Sequence, residues 1–200
     1  MTERGRPRAF DREVALHKAM EVFWASGYEG TSIGDLTAAM GINAPSLYAT
    51  FGSKEGLFRS ATERYNTVEG RAANDALHRA ATARLAVESM LRSYARSYTD
   101  PATPRGCMIV LAANVGTARN AGVREHLAGL RREVLATLRQ RLERGIAEGD
   151  VRADTDTASV ATFYATVLQG LSIQAKDGAS LADLEGVIDH AMSAWPAAPS

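Results

Sequence analysis

Residues 33–47 have the types and spacing that would build two short helices joined at a steep angle. Leu36 and Met40 put apolar side chains on one face of the first helix, and Leu47 would bury the second helix against it. Gly41 provides the positive φ angle that the tight turn between them requires. Such a pair lets its second helix enter the major groove of DNA, which is about 12 Å wide. The pattern favours DNA binding, although any packed pair of short helices also needs a glycine and apolar anchors.

A second candidate for nucleic-acid contact is the N-terminal run Arg4-Gly5-Arg6-Pro7-Arg8. An extended segment of this kind fits the narrow minor groove of A·T-rich DNA, where the negative potential is enhanced. The chain has 23 lysines and arginines and 23 aspartates and glutamates, so its formal net charge is zero. Any contact with a polyanion must therefore come from local basic groups such as Arg4, Arg6 and Arg8. The alternative is a tail that only keeps the chain in solution.

The chain has one cysteine, Cys107, and its position could make the thiol reactive. It follows Pro104-Arg105-Gly106 and opens a predicted helix. A helix N-terminus and a nearby arginine both favour the thiolate, which is the nucleophilic form of cysteine. A lone cysteine in an apolar run is also commonly a small buried hydrophobic residue. The sequence leaves both interpretations open, a reactive sensor and a core residue.

Several classes of function are disfavoured by what the sequence does not contain. A single cysteine rules out an intramolecular disulfide, and the four histidines lack metal-binding spacing, so we expect no metal and no cofactor. The chain has no Gly-x-Ser-x-Gly elbow and no glycine-rich phosphate loop, which argues against an enzyme. It also has no run of about 18 apolar residues and no apolar signal core near Met1. We therefore expect a soluble, cytoplasmic protein without membrane contact.

Periodic apolar residues predict helices along the whole chain and no convincing strand. Asp11, Ser32, Asn43 and Ser53 are suited to cap the first four helices, and the fourth could extend as far as Leu77. The clearest pattern is a long amphipathic helix, with apolar residues three and four positions apart between residues 123 and 146. The other predicted helices span about residues 84–98, 107–115, 155–175 and 180–195. We therefore predict an all-α fold of roughly nine helices.

Residues 10–58 contain a long compound pattern, made up of Ala19-Met20-Glu21-Val22-Phe23, Gly27-Tyr28-Glu29-Gly30-Thr31-Ser32, Ile33, Leu36, Met40-Gly41-Ile42, Ser46-Leu47-Tyr48, Phe51 and Lys54-Glu55-Gly56-Leu57-Phe58. In order and spacing it resembles the tetracycline-repressor (TetR/AcrR) family of transcriptional regulators. Thr37 stands where the family usually has a small alanine, and its methyl group can pack similarly. The resemblance implies an all-helical homodimer, with a helix-turn-helix domain over residues 1–52 that binds double-stranded operator DNA. It also implies a ligand-binding and dimerisation bundle over residues 53–200.

Carried over by position, the resemblance assigns DNA contacts to the second and third helices and their flanks. The exposed start of the third helix would meet base edges through Asn43, Ala44, Pro45 and Ser46. Asparagine and serine exchange hydrogen bonds with bases, whereas alanine and proline can only pack, for example on a thymine methyl group. Contacts to backbone phosphates would come from Thr31, Ser32, Tyr48 and Lys54. The alternative is that these side chains complete a core or lie in solvent.

The same resemblance places an effector pocket and a dimer interface in the C-terminal helices. Candidate pocket or sensor residues are Met90, Tyr94, Cys107, Met108, Leu111, Asn114, Phe163, Tyr164 and Val167. Gly106-Cys107 is similar to a Gly-Cys pair in some electrophile- and redox-sensing members of the family. The last two helices would meet their symmetry mates through Val160, Leu168, Leu171, Leu184, Ile188, Met192 and Trp195. Both sets could instead form the core of a single chain, because either use buries one apolar stripe.

The sequence thus favours a ligand-responsive transcriptional repressor that binds a pseudo-palindromic operator as a homodimer. A small-molecule or electrophile effector would move the fourth helix and release the DNA, so that effector and DNA weaken each other's binding. The alternative is a helical module that binds small molecules or proteins and has no DNA function. Lys54 and the arginine-rich tail favour the first interpretation.

Overall fold

The computed structural model describes residues 10–113 and 120–196, so Arg4, Arg6, Arg8 and Asn114 lie outside the described residues. Within these ranges the chain forms ten helices and no strand, which confirms the predicted all-α fold. The helices are α1 (Arg12–Ser26), α2 (Ile33–Met40), α3 (Ala44–Phe51), α4 (Lys54–Val68), α5 (Arg71–Arg79), α6 (Ala83–Thr99), α7 (Met108–Leu111), α8 (Ala121–Glu148), α9 (Thr157–Lys176) and α10 (Leu181–Ser193). None of these ten helices is long and apolar enough to cross a membrane.

Side-chain caps fix where the N-terminal helices begin. Asp11, Ser32, Asn43 and Ser53 accept hydrogen bonds from backbone N–H groups in the first turns of α1, α2, α3 and α4. Each cap satisfies a donor that would otherwise lack a partner, which stabilises a helix by about 1 kcal/mol. The caps matter most for α2 and α3, because isolated helices this short are unstable in water.

The fourth helix is shorter than the sequence suggested. The prediction allowed it to reach Leu77, but α4 ends at Val68 and α5 starts at Arg71. Asn66, Thr67 and Val68 have low helix propensity and Gly70 follows them, so interrupting the helix here costs little free energy. Beyond the turn Leu77 is buried, and α5 packs mainly against α6. This break accounts for the difference between the predicted and observed numbers of helices.

The apolar run after Cys107 also differs from the prediction. Instead of a helix over residues 107–115, α7 is a single turn followed by the non-helical residues Ala112 and Ala113. The Ala112 carbonyl accepts a hydrogen bond from the Tyr28 N–H at 2.9 Å. This backbone contact joins the segment to the turn after α1, so the run forms a buried junction between distant parts of the chain.

A second buried contact joins the same two parts of the chain. The Trp24 indole N–H of α1 donates to the Gly106 carbonyl at 2.8 Å. The adjacent Cys107 N–H donates to the Ser172 Oγ of α9, also at 2.8 Å. Trp24 meets the Tyr65 ring of α4 edge-on, with the ring centroids 4.9 Å apart. Because α4 contacts both α1 and the C-terminal helices, the domain boundary predicted between residues 52 and 53 falls just before a bridging helix.

Gly106 is the position in this junction where a side chain would be most disruptive. Its φ angle is +79°, and a Cβ atom would lie 2.7 Å from the Ser172 carbonyl oxygen. We expect Gly106→Ala to lower the free energy of unfolding by about 2–4 kcal/mol, from backbone strain and overpacking together. Chemical denaturation measures this change. The control is Gly129→Ala in α8, where the nearest atom would be 3.9 Å away and a gain of up to about 1 kcal/mol is expected. An equal loss in both variants would contradict this view of the junction.

Candidate nucleic-acid interface

The pair α2 and α3 has the geometry of a helix-turn-helix. Leu36, Met40 and Leu47 are buried. Gly41 ends α2 with φ 67° and ψ 30°, a left-handed conformation that costs little only for glycine. The Ile42 N–H, in the turn, donates to a carbonyl of α2 at 3.2 Å. These features confirm the arrangement predicted from the spacing of the apolar residues and the glycine.

The first turn of α3 presents a mixed polar and apolar surface to solvent. Asn43 and Pro45 are exposed, and Ala44 and Ser46 are half-buried. The Asn43 Oδ1 accepts the Ser46 N–H at 2.8 Å, so this oxygen forms the helix cap while the Nδ2 group remains a donor. Tyr48, further along the helix, is 46% exposed. The residues predicted to read bases therefore gather at one accessible end of α3.

Two predicted phosphate contacts before α2 differ in accessibility. Ser32 is exposed and forms a capping box: its Oγ accepts the Asp35 N–H at 3.1 Å, and Asp35 Oδ2 accepts the Ser32 N–H at 2.8 Å. The hydrogen bonds from Ser32 lower the pKa of Asp35. Thr31 is only 2% exposed, and its hydroxyl donates to the Gly27 carbonyl at 2.7 Å. The Thr31 side chain thus stabilises the turn after α1 and, unlike the prediction, does not offer its hydroxyl to a phosphate.

Lys54, the first residue of α4, lies over the face of an aromatic ring. Its Nζ is 4.4 Å from the ring centroid of Tyr28, a cation–π contact. Partial burial lowers the pKa of Lys54, and the carboxylates of Glu29 and Asp35 oppose that change. The ammonium group is therefore held close to the start of α2, beside the capping box that contains Ser32.

Tyr28 is a positioning residue that sequence reasoning did not single out. Its ring packs edge-on against Phe58, with the centroids 5.1 Å apart, while its backbone N–H binds the Ala112 carbonyl. One residue therefore supports Lys54 and anchors the helix-turn-helix to the C-terminal helices. A signal was present in the pair Gly27-Tyr28, because an apolar residue that follows a helix-ending glycine often packs back onto the helix.

A cavity lies between α4, α6, α8 and α9, beside the single turn α7. Its volume is about 40 Å³, and its walls are mainly apolar. Of the predicted pocket residues, Tyr94 and Cys107 line it, and Met90 lines an adjoining depression that also includes Tyr94. The lining residues are Tyr65, Asn66, Tyr94, Tyr98, Cys107, Ile109, Val110, Leu130, Arg131, Val134, Ala165, Leu168 and Gln169. Tyr65 and Arg131 are polar members of this set that helical periodicity could not assign to a cavity.

The other described candidates for the pocket lie elsewhere. Met108 is fully buried and Leu111 is half-buried, and neither lines the cavity. Tyr164 is buried between α9 and α10, where its hydroxyl donates to a backbone carbonyl of α10 at 3.2 Å. Phe163 is 44% exposed, and Val167 is half-buried and packs against the core, so neither lines the cavity. The sequence pattern marked the apolar residues correctly but could not show which neighbour each one meets.

The residues predicted for the dimer interface lie mostly in the core of the single chain. α9 and α10 pack against each other and against α6, which buries their shared apolar stripe. Val160 is half-buried, and exposure is 8% or less for Leu168, Leu171, Leu184, Ile188, Met192 and Trp195. A different apolar face of α9 and α10 is open to solvent, and we call it the outer face. It consists of Phe163, Ile173 and Val187, together with Gly170 and Gly186.

Together these features define a class of protein. A helix-turn-helix with an accessible recognition helix, joined to a helical domain that contains a cavity, is the architecture of a DNA-binding transcriptional regulator. Two family models match the chain. "Bacterial regulatory proteins, tetR family" matches residues 15–61, and "Tetracyclin repressor-like, C-terminal domain" matches residues 81–193.

The chain belongs to the TetR family. It is 36% identical over 197 residues to the HTH-type transcriptional repressor ComR of Escherichia coli (strain K12), covering 96% of this chain and 92% of ComR. It is 31% identical over 181 residues to the HTH-type transcriptional repressor BdcR of the same strain, covering 90% of this chain and 86% of BdcR. A solved structure of a cysteine mutant of the TetR family regulator CifR, complexed with 26-bp double-strand operator DNA, is 52% identical. Its TM-score is 0.93, and the match covers 96% of this chain and 100% of that one.

Asn43 combines a cap and an exposed donor, and substitution can separate the two. Asn43→Ala removes both, so we expect stability to fall by about 1 kcal/mol and operator affinity to fall as well. Asn43→Ser keeps a capping oxygen, so its stability should stay within about 0.5 kcal/mol of wild type while its operator affinity still falls. Chemical denaturation and fluorescence anisotropy measure the two effects. Wild-type affinity in Asn43→Ser would show that the amide does not contact DNA.

Proposed function

We propose that this chain is a transcriptional repressor that binds a pseudo-palindromic operator as a homodimer and releases it when an effector occupies the cavity. The observation that carries the proposal is the accessible first turn of α3, with Lys54 held near the start of α2. Its similarity to named repressors and to a regulator solved with operator DNA supports the same function.

The base contacts follow from the chemistry of the first turn of α3. We place this end of the helix in the major groove, where base edges differ in donors, acceptors and methyl groups. Asn43 offers its Nδ2 donor, and Ser46 offers a hydroxyl that can donate or accept. Ala44 and Pro45 provide apolar surface for a thymine methyl group.

The phosphate contacts flank this end of α3. Ser32 still has its hydroxyl proton to donate, because its Oγ acts as an acceptor in the capping box. Tyr48 has an exposed side chain, and Lys54 contributes the charge. We expect the arginines of the N-terminal run 4–8 to add contacts in the minor groove, which would help a chain of zero net charge to bind a polyanion.

The second copy of the chain docks on the outer face in this proposal. Phe163, Ile173 and Val187 are apolar but 44–46% exposed. A Cβ atom at Gly170 or Gly186 would meet nothing within 4 Å, so a partner helix has room to approach closely. Two copies of α9 and α10 would then form a four-helix bundle about a two-fold axis. The same axis relates the two copies of α3 and demands a roughly palindromic operator.

The effector acts through contacts that link the cavity with the helix-turn-helix. α4 contributes Tyr65 to the cavity wall and begins at Lys54. Cys107 also lines the cavity and follows Gly106, whose carbonyl binds Trp24 of α1. A small-molecule or electrophile effector that displaces these groups shifts α1 and α4 together. Effector and operator therefore weaken each other's binding by the same factor.

Selection of genomic fragments with the purified protein tests the proposed function. We expect one short pseudo-palindrome to be enriched and to be protected over both half-sites in a footprint. Enrichment without a common sequence would contradict specific recognition by α3.

Lys54 gives a quantitative test of the phosphate contact. Lys54→Gln removes two charges from the dimer, so the slope of log affinity against log salt should become shallower by about 2. Operator affinity should fall about tenfold or more in low salt. Fluorescence anisotropy at several salt concentrations measures both. Lys176→Gln, at the end of α9, removes the same charge outside the helix-turn-helix and should leave the slope unchanged. An unchanged slope in Lys54→Gln would remove this residue from the interface.

Ile173 tests the outer face. Ile173→Asp would bury two unpaired carboxylates in a two-fold interface, so the dimer dissociation constant should rise by about a hundredfold or more. Sedimentation analysis measures the monomer–dimer equilibrium. Val68→Asp, at the end of α4, changes a side chain of similar exposure (46% against 45%) and should leave the dimer intact. A dimer that survives Ile173→Asp would place the interface elsewhere.

A further inference from the structure

The first residue of α1 lies over an aromatic ring at the end of α3. The Arg12 guanidinium carbon is 5.3 Å from the ring centroid of Phe51, a cation–π contact. Phe51 is the last residue of α3 and is buried, whereas the Arg12 side chain is 52% exposed. The ring thus supports the guanidinium group from the protein side and leaves it accessible to a partner in solution.

Lys54 is held in the helix-turn-helix by the same kind of contact. Its Nζ lies over the Tyr28 ring near the start of α2, and the Arg12 guanidinium lies over the Phe51 ring at the end of α3. An aromatic ring keeps a cation in place without neutralising its charge. Such support suits a group that has to meet a DNA phosphate.

The carboxylate beside Arg12 has a second cationic partner. Glu13 Oε1 lies 3.1 Å from Arg12 Nη1, and this exposed pair of neighbouring residues contributes little stability. The other oxygen of the carboxylate, Oε2, accepts a hydrogen bond from Arg64 Nη1 of α4 at 2.9 Å. Arg12 can therefore turn to a phosphate while Glu13 keeps a charged hydrogen bond with Arg64.

Arg12 borders the surface of α3 that we place against DNA. Tyr48, proposed above as a phosphate contact, lies three residues before Phe51, so the two side chains are neighbours on the surface of α3. The start of α1 also follows the arginine run 4–8, which we expect in the minor groove. A strand of phosphates separates the major groove from the adjacent minor groove. The start of α1 would lie where the chain crosses that strand.

We propose that Arg12 binds a backbone phosphate of the operator through two N–H groups, and that the Phe51 ring holds its guanidinium in position for this contact. The inference rests on the proposed function, because it requires α3 to lie in the major groove. It adds one phosphate contact and one positioning residue in each half-site. Arginine suits this place because its planar guanidinium stacks on a ring and still donates two parallel N–H groups to one phosphate.

The salt dependence of operator binding tests the charge of Arg12. Arg12→Gln removes two charges from the dimer, so the slope of log affinity against log salt should become shallower by about 2. Affinity in low salt should fall about tenfold, as measured by fluorescence anisotropy on the selected operator. Arg79→Gln, at the end of α5, removes an exposed arginine outside the helix-turn-helix and should leave the slope unchanged. An unchanged slope in Arg12→Gln would overturn the proposal.

Arg12→Lys separates the guanidinium from its charge. Lysine keeps the charge but cannot donate two parallel N–H groups to one phosphate. We therefore expect the salt slope to stay within about 0.5 of wild type, while affinity falls about threefold to tenfold. Wild-type affinity in Arg12→Lys would show that any cation suffices here and would overturn the paired contact.

Ethylation of single phosphates locates the contact on the DNA. With wild type, we expect interference at a phosphate in each half-site between the bases that α3 contacts and the adjacent minor groove. With Arg12→Gln, ethylation at that phosphate should no longer interfere, whereas interference elsewhere should persist. The same interference pattern in both proteins would contradict the assignment.

A double-mutant cycle tests the role of the ring. Phe51→Leu keeps an apolar side chain in the core but removes the aromatic face. We expect it to lower operator affinity about fivefold when residue 12 is arginine, and less than about twofold in the Arg12→Gln background. Chemical denaturation checks that each variant is folded under the conditions of the titration. Equal losses in the two backgrounds would show only a disturbed core and would overturn the positioning role of Phe51.

The Lys54→Gln variant separates this inference from the proposed function. A specific operator in wild type, with a shallower slope in Lys54→Gln but not in Arg12→Gln, would overturn the inference and leave the repressor function intact. Absence of any specific operator in wild type would overturn both.

Discussion

The buried hydrogen bond from the Trp24 indole N–H to the Gly106 carbonyl is the constraint on which the rest of the structure depends. It fixes α1, the helix that supports the helix-turn-helix, against the segment that carries Cys107. The backbone bond between Tyr28 and Ala112 holds the same two parts together one turn further on. Both hydrogen bonds lie at the junction between the helix-turn-helix and the segment beside the cavity. They provide the contacts through which the proposed effector would act on the DNA-binding half.

Lys54 is one basic group that we propose for the DNA interface of this chain, whose formal net charge is zero. Lys54 does not protrude as an isolated charge, because the Tyr28 ring supports it from below and the start of α2 lies beside it. Tyr28 is itself held by Phe58 and by the junction with Ala112. The position of one ammonium group thus depends on the same contacts that join the two halves of the chain.

Local signals were enough to predict the helix-turn-helix but not the surfaces of the C-terminal helices. Ser32, Asn43 and Gly41 act within one turn of the chain, so their cap and turn geometry could be read from residue type and spacing. An apolar stripe on a helix, by contrast, predicts burial but does not show which surface covers it. The apolar stripe of α9 and α10 that includes Leu171 and Ile188 is buried within the same chain. The residues of the outer face are too widely spaced in the sequence to form a recognisable apolar pattern.

The same limit explains the errors at single residues. Thr31 lies in a segment typical of phosphate contacts, but its hydroxyl meets a carbonyl four residues earlier. Tyr65 carries no sequence signal for a cavity, since a tyrosine on a helix is more often an ordinary core residue. Tyr65 and Cys107 both line the cavity, and only the folded structure brings them together.

The central claim is that two copies of the chain form a sequence-specific DNA-binding dimer, and comparative titration tests it most directly. Fluorescence anisotropy would measure affinity for the selected operator and for a scrambled duplex of the same length and composition, at matched salt. We predict that the operator is bound at least about a thousandfold more tightly than the scrambled duplex, with a whole number of dimers per site. Equal affinity for the two duplexes, with the same salt dependence, would contradict the claim, because it would reduce binding to charge alone.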